Sequence, residues 1–363
     1  MKLLFLDQFS ELGGAQQCLL DLLPAVQHAV VQQAIVAMPG TGPMFQRVRA
    51  MGFETARIHC GPYASGGKTA SDMARFVFET PRLAWQIREL ARGADIVYLN
   101  GPRLLPAAAL SGIRKPVVFH SHSYLPPGAI RKLSGLALRR LRAHVIGSCR
   151  YVADPWRPYA SDISVVYNGV AGPERPRAER NGPLTIGCIG RIAPEKGQRE
   201  FVEAARIIHG KMPEARFAIY GETMFASHDY EREVRAAAAG LPIEFAGWAA
   251  NVYDALARID LLLVPSAPHE ATTRVILEAF AAGVPVIACP SGGIPEVLPA
   301  GSLAHSVREM AEMVCNGDRP GGLSHSVDFT LVRYRTEILN VLWGRMASFG
   351  RLSTGPLSPD PRL

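Results

Sequence analysis

At 363 residues, 48% apolar and 20% charged, the chain is long enough for two domains with separate cores, and no apolar run approaches the ~18 residues of a membrane span. The net charge of +7 sits unevenly: residues 1–170 hold 19 Lys and Arg against 10 Asp and Glu, a net of +9, and the remainder is at −2. No finger, RNP or helix-turn-helix signature accompanies the excess, which argues against nucleic acid and for an anionic acceptor or an anionic membrane surface.

Lys2 to Asp7 reads as a buried strand, too short in its apolar part for a secretory signal. It runs through Gly13-Gly14 into a helix-periodic stretch with Ala15, Leu19, Leu22 and Leu23 on one face. Paired glycines at such a turn let backbone approach a ligand, or serve only as a tight turn. Val30 to Met38 is the next strand, and Thr69 to Arg92 is helical in pattern despite Pro81. Ala94 to Leu99 and Pro116 to Phe119 are buried strands that end at Asn100 and at His120-Ser121-His122, polar groups on what would be the ligand edge of a parallel sheet. Residues 126–142 place Ile130, Leu133, Ala137 and Leu141 at helical spacing opposite Arg131, Lys132, Arg139, Arg140 and Arg142. The segment reads either as a basic amphipathic helix lying on an anionic bilayer or as a domain helix with a solvated basic face.

Strands at 144–148 and 163–167 close a first domain, 1–170, and the Pro-, Gly- and charge-rich stretch 171–183 reads as a linker. A second strand-helix series fills 184–329. A long helix is expected over 330–347, crossing back to the first domain, and 348–363 reads as a disordered tail. The six cysteines show no CxxC or metal-like spacing, so reduced core thiols of a cytoplasmic protein are expected.

The second series carries the chemistry. Gly190 to Gly197, GRIAPEKG, follows a strand and places Arg191 and Lys196 in one strand-to-helix loop, where both can turn toward one diphosphate or form a surface salt bridge with Glu195. Leu261 to Val264 ends in a turn with His269 and Glu270, and a helix follows with Val275, Leu277, Phe280 and Ala281 as its expected buried face. Glu270 and Glu278 thus flank a helix N-terminus, a seat for phosphate beside groups that bind hydroxyls. Asp-x-Asp is absent, so the usual carboxylate clamp for a metal diphosphate is missing.

Taken in order, Gly13-Gly14-Ala15, Tyr167-Asn168-Gly169-Val170, GRIAPEKG, Tyr220-Gly221-Glu222, Glu270 with seven residues before Glu278, and GGIPEV at 292–297 resemble the GT-B glycosyltransferases of family 4 over about residues 1 to 300. The resemblance implies an α/β GT-B fold of two Rossmann-like domains facing each other across a cleft. It also implies retaining transfer of a sugar from a nucleotide-sugar donor to a glycan or lipid-linked acceptor, with no cofactor and no essential metal, in cell-surface polysaccharide synthesis. Arg191 and Lys196 would neutralise the diphosphate, Glu278 would hold ribose, and Glu270 would hold the donor sugar. Thr272 and Thr273 would present amides to the distal phosphate, with Gly13 and Gly14 approaching it and Tyr220, Glu222 and Trp248 near the base. His120 would contact the reacting sugar, and Asn100 and His122 the acceptor, though which histidine matters is open. Where the family has a Gly-rich turn this chain has Ala271-Thr272-Thr273-Arg274, a cation with no assigned role. That departure keeps a non-catalytic nucleotide-sugar-binding subunit of a glycan assembly complex as the alternative. The expected setting is cytoplasmic, peripheral on the inner face of a membrane through 126–142.

Overall fold

The computed structural model describes all residues except 30, 62–69, 179, 224–227, 267, 322–328 and 350–363. The chain divides into two compact units, Met1–Gly169 with Leu331–Leu363, and Val170–Thr330. Most of the expected tail lies outside the described residues.

Unit 1 is built on seven strands, all parallel: β1 (Lys2–Asp7), β2 (Gln33–Pro39), β3 (Glu54–Ile58), β4 (Ile96–Asn100), β5 (Val117–Ser121), β6 (His144–Gly147) and β7 (Ile163–Val165). Their order in the sheet is β3-β2-β1-β4-β5-β6-β7. Chain order reverses between β1 and β4, which makes the carboxyl ends of those two strands the topological switch point where open α/β sheets take ligands. Helices α1 (Gly14–His28), α2 (Pro43–Ala50), α3 (Ala70–Arg92), α4 (Leu105–Leu110), α5 (Ala129–Leu141) and α6 (Arg150–Ala153) connect the strands. Both faces of the sheet are covered, Phe5, Tyr98 and Ile146 facing one core and Leu4, Leu99 and Phe119 the other, so the strands read as continuous apolar runs.

Unit 2 repeats the plan with β8 (Thr185–Ile189), β9 (Arg216–Tyr220), β10 (Ile243–Gly247), β11 (Leu261–Val264) and β12 (Val286–Ala288), in the order β10-β9-β8-β11-β12. Its helices are α7 (Gln198–Lys211), α8 (Asp229–Ala237), α9 (Val252–Leu256), α10 (Arg274–Ala281) and α11 (Val307–Cys315), and its switch point lies between β8 and β11. Helix α12 (Leu331–Ser348) belongs to unit 1, where the Tyr334 hydroxyl donates to the Cys18 carbonyl at 3.1 Å and Arg345 pairs with Asp162 at 2.9 Å.

Three expectations need correction. Strand β5 runs to Ser121, so His120 is a strand residue and not the first residue beyond the strand. Helix α10 buries Val275, Ile276, Leu277 and Ala279, while Phe280 is half-buried and Ala281 exposed. In a helix with apolar residues almost all round, periodicity does not fix the inward face. Helix α5 buries Ser134, Gly135, Ala137 and Leu138, and leaves Ile130 47% and Leu133 50% exposed. The reason is Gly135: a Cβ there would collide with the Tyr159 ring, so the small side of the helix faces inward and the large apolar side chains face out.

Candidate functional site

The switch point of unit 2 is assembled by glycines. Strand β8 ends at Ile189, and Gly190 and Gly221 cross with positive φ, so close that a Cβ on Gly221 would overlap the Gly190 carbonyl. The buried Gln198 braces the loop that follows. Its Nε2 donates to the Arg191 carbonyl at 2.9 Å, and its Oε1 accepts from the Ala193 amide at 3.3 Å. Gly197, at φ +71°, abuts the Pro265 carbonyl at the exit of β11. That contact brings two loops 70 residues apart in sequence side by side, and Lys196 Nζ reaches Glu270 Oε2 at 2.7 Å.

Glu270 is fixed from behind. Its amide donates to Ser291 Oγ at 3.1 Å and its carbonyl accepts from the Gly293 amide at 3.0 Å, while a Cβ on Gly292 would overlap that same carbonyl. His269, just before it, sits at φ +80°, a costly conformation for a side-chain-bearing residue that the surrounding contacts sustain. Thr273 is the extended N-cap residue of α10, Thr272 is buried beside it, and Arg274 opens the helix. Arg274 pairs with Glu278 at 3.3 Å, each only 14% exposed, and Arg191 pairs with Glu195 at 2.5 Å. These two loops and the first turn of α10 thus carry three cation–carboxylate pairs, and the amide end of α10 adds its own positive partial charge. On the neighbouring edge the Ile192 amide donates to the Glu222 carbonyl at 3.0 Å, and the Trp248 amide to Glu222 Oε1 at 3.3 Å. Trp248 and Glu222 are exposed there, whereas Tyr220 is packed into the end of its strand.

Unit 1 gathers a polar network at its own switch point. Asp7 ends β1 and is register partner of Asn100 on β4, which in turn pairs with His120 on β5. Asp7 is fully buried. It accepts from Gln16 Nε2 at 2.8 Å, the Phe9 amide at 2.9 Å and Asn100 Nδ2 at 2.5 Å. Burial nonetheless pushes its carboxyl up to about 6 against the pull of these donors. Asn100 Oδ1 meets His122 Nε2 at 2.7 Å. His120 Nδ1 bonds to the Tyr98 hydroxyl, its Nε2 has no partner among the described residues, and its ring lies 3.8 Å from that of His122. Burial, with His122 adjacent, holds His120 well below the usual histidine range, so it stays neutral. His122 is partly exposed and His120 is not. Asn100, expected at the acceptor, has both ends of its amide bonded inside the protein. Gly13 caps α1 in extended backbone open to any residue, so the glycine pair answers no conformational need at that position.

Asp7, Gln16, Tyr98 and Gln198 escaped the sequence reading. Each lies inside or beside an element that reads as core; the first three join the polar network of unit 1 only through the side-chain bonds the fold creates, and Gln198 separately braces the Arg191 loop of unit 2.

Residues 12–171 match the family model described as Glycosyltransferase Family 4, and residues 183–325 match that of Glycosyl transferases group 1. The chain belongs to the family-4 glycosyltransferases. It is similar to the sulfoquinovosyl transferase SQD2 of Arabidopsis thaliana, 33% identical over 123 residues, which are 33% of this chain and 22% of that protein. It is also similar to a GDP-mannose-dependent monoacylated alpha-(1-6)-phosphatidylinositol monomannoside mannosyltransferase of Corynebacterium glutamicum, 34% identical over 129 residues, 32% of each chain. The alignments therefore span a third or less of these two relatives. Among solved structures, Anabaena HepE in complex with UDP superposes at a TM-score of 0.76 and 21% identity, over 95% of this chain and 100% of that one. The lipopolysaccharide outer core galactosyltransferase WaaB follows at 0.67 and 17%, over 95% and 100%. The fold of this family-4 member is GT-B.

Proposed function

We propose that this protein is a retaining, metal-independent glycosyltransferase that moves a sugar from a nucleotide-sugar donor to a glycan or lipid-linked acceptor in cell-surface polysaccharide synthesis. The observation that carries the reading is the Lys196–Glu270 pair, held at the switch point of unit 2 beside Arg191 and the N-terminus of α10. As the bond from sugar to diphosphate breaks, charge grows on the leaving phosphate. Fixed cations and backbone amides aimed at that position stabilise it without a metal ion. Arg191 and Lys196 take the diphosphate, and the amides at Thr272 and Thr273 take its distal phosphate. Glu278 holds the ribose, Glu270 the donor-sugar hydroxyls, and Trp248 and Glu222 flank the base. Arg274 orients Glu278 through their ion pair. Among the described residues no group of three or more His, Cys, Asp or Glu side chains could hold a metal ion. Similar proteins support the donor class: HepE was solved with UDP-glucose, and the mannosyltransferase is GDP-mannose-dependent.

The acceptor reading extends to a membrane. Residues 101–150 hold nine Lys and Arg and no Asp or Glu. Within them α5 exposes Ile130, Leu133 and Leu136. Large apolar side chains among unopposed cations suit an anionic bilayer on its cytosolic face. No helix among the described residues is long and apolar enough to cross a membrane.

The test is transfer or slow hydrolysis of UDP-, GDP-, ADP- and dTDP-sugars by purified protein with chelator present. Activity that survives both Lys196→Ala and Glu270→Ala overturns the site. Donor-dependent thermal stabilisation without turnover of any acceptor would instead favour a non-catalytic binding subunit.

A further inference from the structure

The Arg191–Ile192 peptide of unit 2 is pinned at both ends. Its N–H, on Ile192, donates to the Glu222 carbonyl at 3.0 Å, and its C=O, on Arg191, accepts from Gln198 Nε2 at 2.9 Å. A peptide unit is planar, so bonds at its two opposite ends fix its rotation, and with it the direction in which the Arg191 side chain leaves the backbone. The other end of the Gln198 amide, Oε1, accepts from the Ala193 amide at 3.3 Å. Among the described residues neither the Arg191 carbonyl nor the Ala193 amide bonds to anything else. Ile192, Ala193 and Gln198 are all buried, so a backbone group left unpaired here carries its full desolvation cost. A primary amide suits the position because it donates and accepts at once and stays uncharged in a buried site. The Arg191 guanidinium, by contrast, is partly exposed and rests on Glu195 of the same loop at 2.5 Å.

We propose that Gln198 is a positioning residue for the donor's diphosphate: acting through the Arg191–Ile192 peptide, it aims the Arg191 guanidinium. It thereby sets how much more tightly the protein holds a nucleoside diphosphate than the matching monophosphate. The inference rests on the donor site proposed above for its ligand. Arg191 makes the contact, and Gln198, with no exposed surface, acts only through it.

Titration calorimetry of the full chain with UDP, GDP, ADP and dTDP, each beside its monophosphate, gives the ratio of the two affinities for the base that binds tightest. Arg191→Ala should lower this ratio by roughly tenfold or more, the scale of a charge-assisted hydrogen bond. Gln198→Met keeps the length of the side chain and removes its amide. It should lower the ratio by about tenfold, while monophosphate affinity changes by less than about twofold. The double variant should fall no further than Arg191→Ala alone, because the two residues act as one unit. A residue that served only to hold the fold would lower the melting temperature and leave the ratio alone. An unchanged ratio in a folded Gln198→Met protein, or losses that add in the double variant, therefore overturns the proposal while leaving the donor site standing. Should Gln198→Met fail to fold, Gln198→Asn, whose shorter amide cannot hold both backbone groups, decides it by the same ratio. An unchanged ratio in Arg191→Ala, or binding of none of the diphosphates, refutes the donor site itself, and this inference falls with it.

Discussion

Asp7 should make the stability of this protein fall as pH rises through a defined window. Its carboxyl is raised from 3.8 to about 6 by complete burial, only partly offset by its donors. The folded chain therefore binds this proton more tightly than the unfolded chain does. Between pH ~4 and ~6 the native state holds more protons, so stability drops with rising pH and the cost is complete above the folded value. Two pK units at 1.36 kcal/mol each give about 3 kcal/mol, a large share of a domain's stability. The neighbours do not blur the window: burial holds the Tyr98 hydroxyl well above its usual range and pushes the Cys60 thiol up to about 12, so both stay neutral throughout. Denaturant unfolding of wild type and Asp7→Asn from pH 4 to 7.5 isolates the contribution, because the other carboxylates cancel in the difference. The variant should gain about 3 kcal/mol relative to wild type across that range. Parallel curves would show that Asp7 is not a buried, ionising carboxylate.

Lys196→Ala should cost about a hundredfold or more in kcat, the scale of losing one transition-state charge contact, and Glu270→Gln should be milder because the amide still meets hydroxyls. Steady-state rates with a fixed donor read both. Gly292→Ala forces a Cβ into the Glu270 carbonyl at φ +54°, so a loss of roughly 1–3 kcal/mol and of donor-induced thermal shift is expected, read by calorimetry with and without nucleotide. Sedimentation with vesicles containing anionic lipid should retain wild type and release Arg131→Glu/Lys132→Glu. Arg139 and Arg140 are poorer probes because they hold the Pro158 and Ala109 carbonyls at 2.8 and 2.9 Å, closer than the 3.4 Å from Arg131 to the Leu125 carbonyl. Equal retention of that variant would return α5 to an ordinary surface helix. Transfer in excess chelator should match untreated enzyme, and loss restored by a divalent cation would refute metal independence.

The strand-helix alternation of both units was legible because buried parallel strands are near-continuous apolar runs bounded by glycine. Strand β3, ETARI, was not, because it alternates polar and apolar residues at the sheet edge. The loop from Arg191 to Lys196 and the turn at Glu270 were legible as chemistry, but their pairing was not. It depends on Gly197 meeting Pro265 across the sheet, which nothing local encodes. Likewise His120 and His122 look equivalent in sequence, and only the extent of β5 and the bond to Tyr98 make one interior and the other partly exposed. Arg274 looked like an intrusion in a turn where glycine is usual. The helix geometry turns it into the i,i+4 partner of Glu278.

The Lys196–Glu270 contact also ranks ligands before any chemistry begins. A small anion such as inorganic phosphate could take Lys196, but it would leave the partly buried Glu270 carboxylate without a partner, at a cost that offsets the gain. A sugar attached to a diphosphate brings both halves of the exchange, negative charge for the ammonium and hydroxyl donors for the carboxylate. The resting pair thus works as a two-key lock, turning only for a molecule that carries acid and alcohol at the right separation.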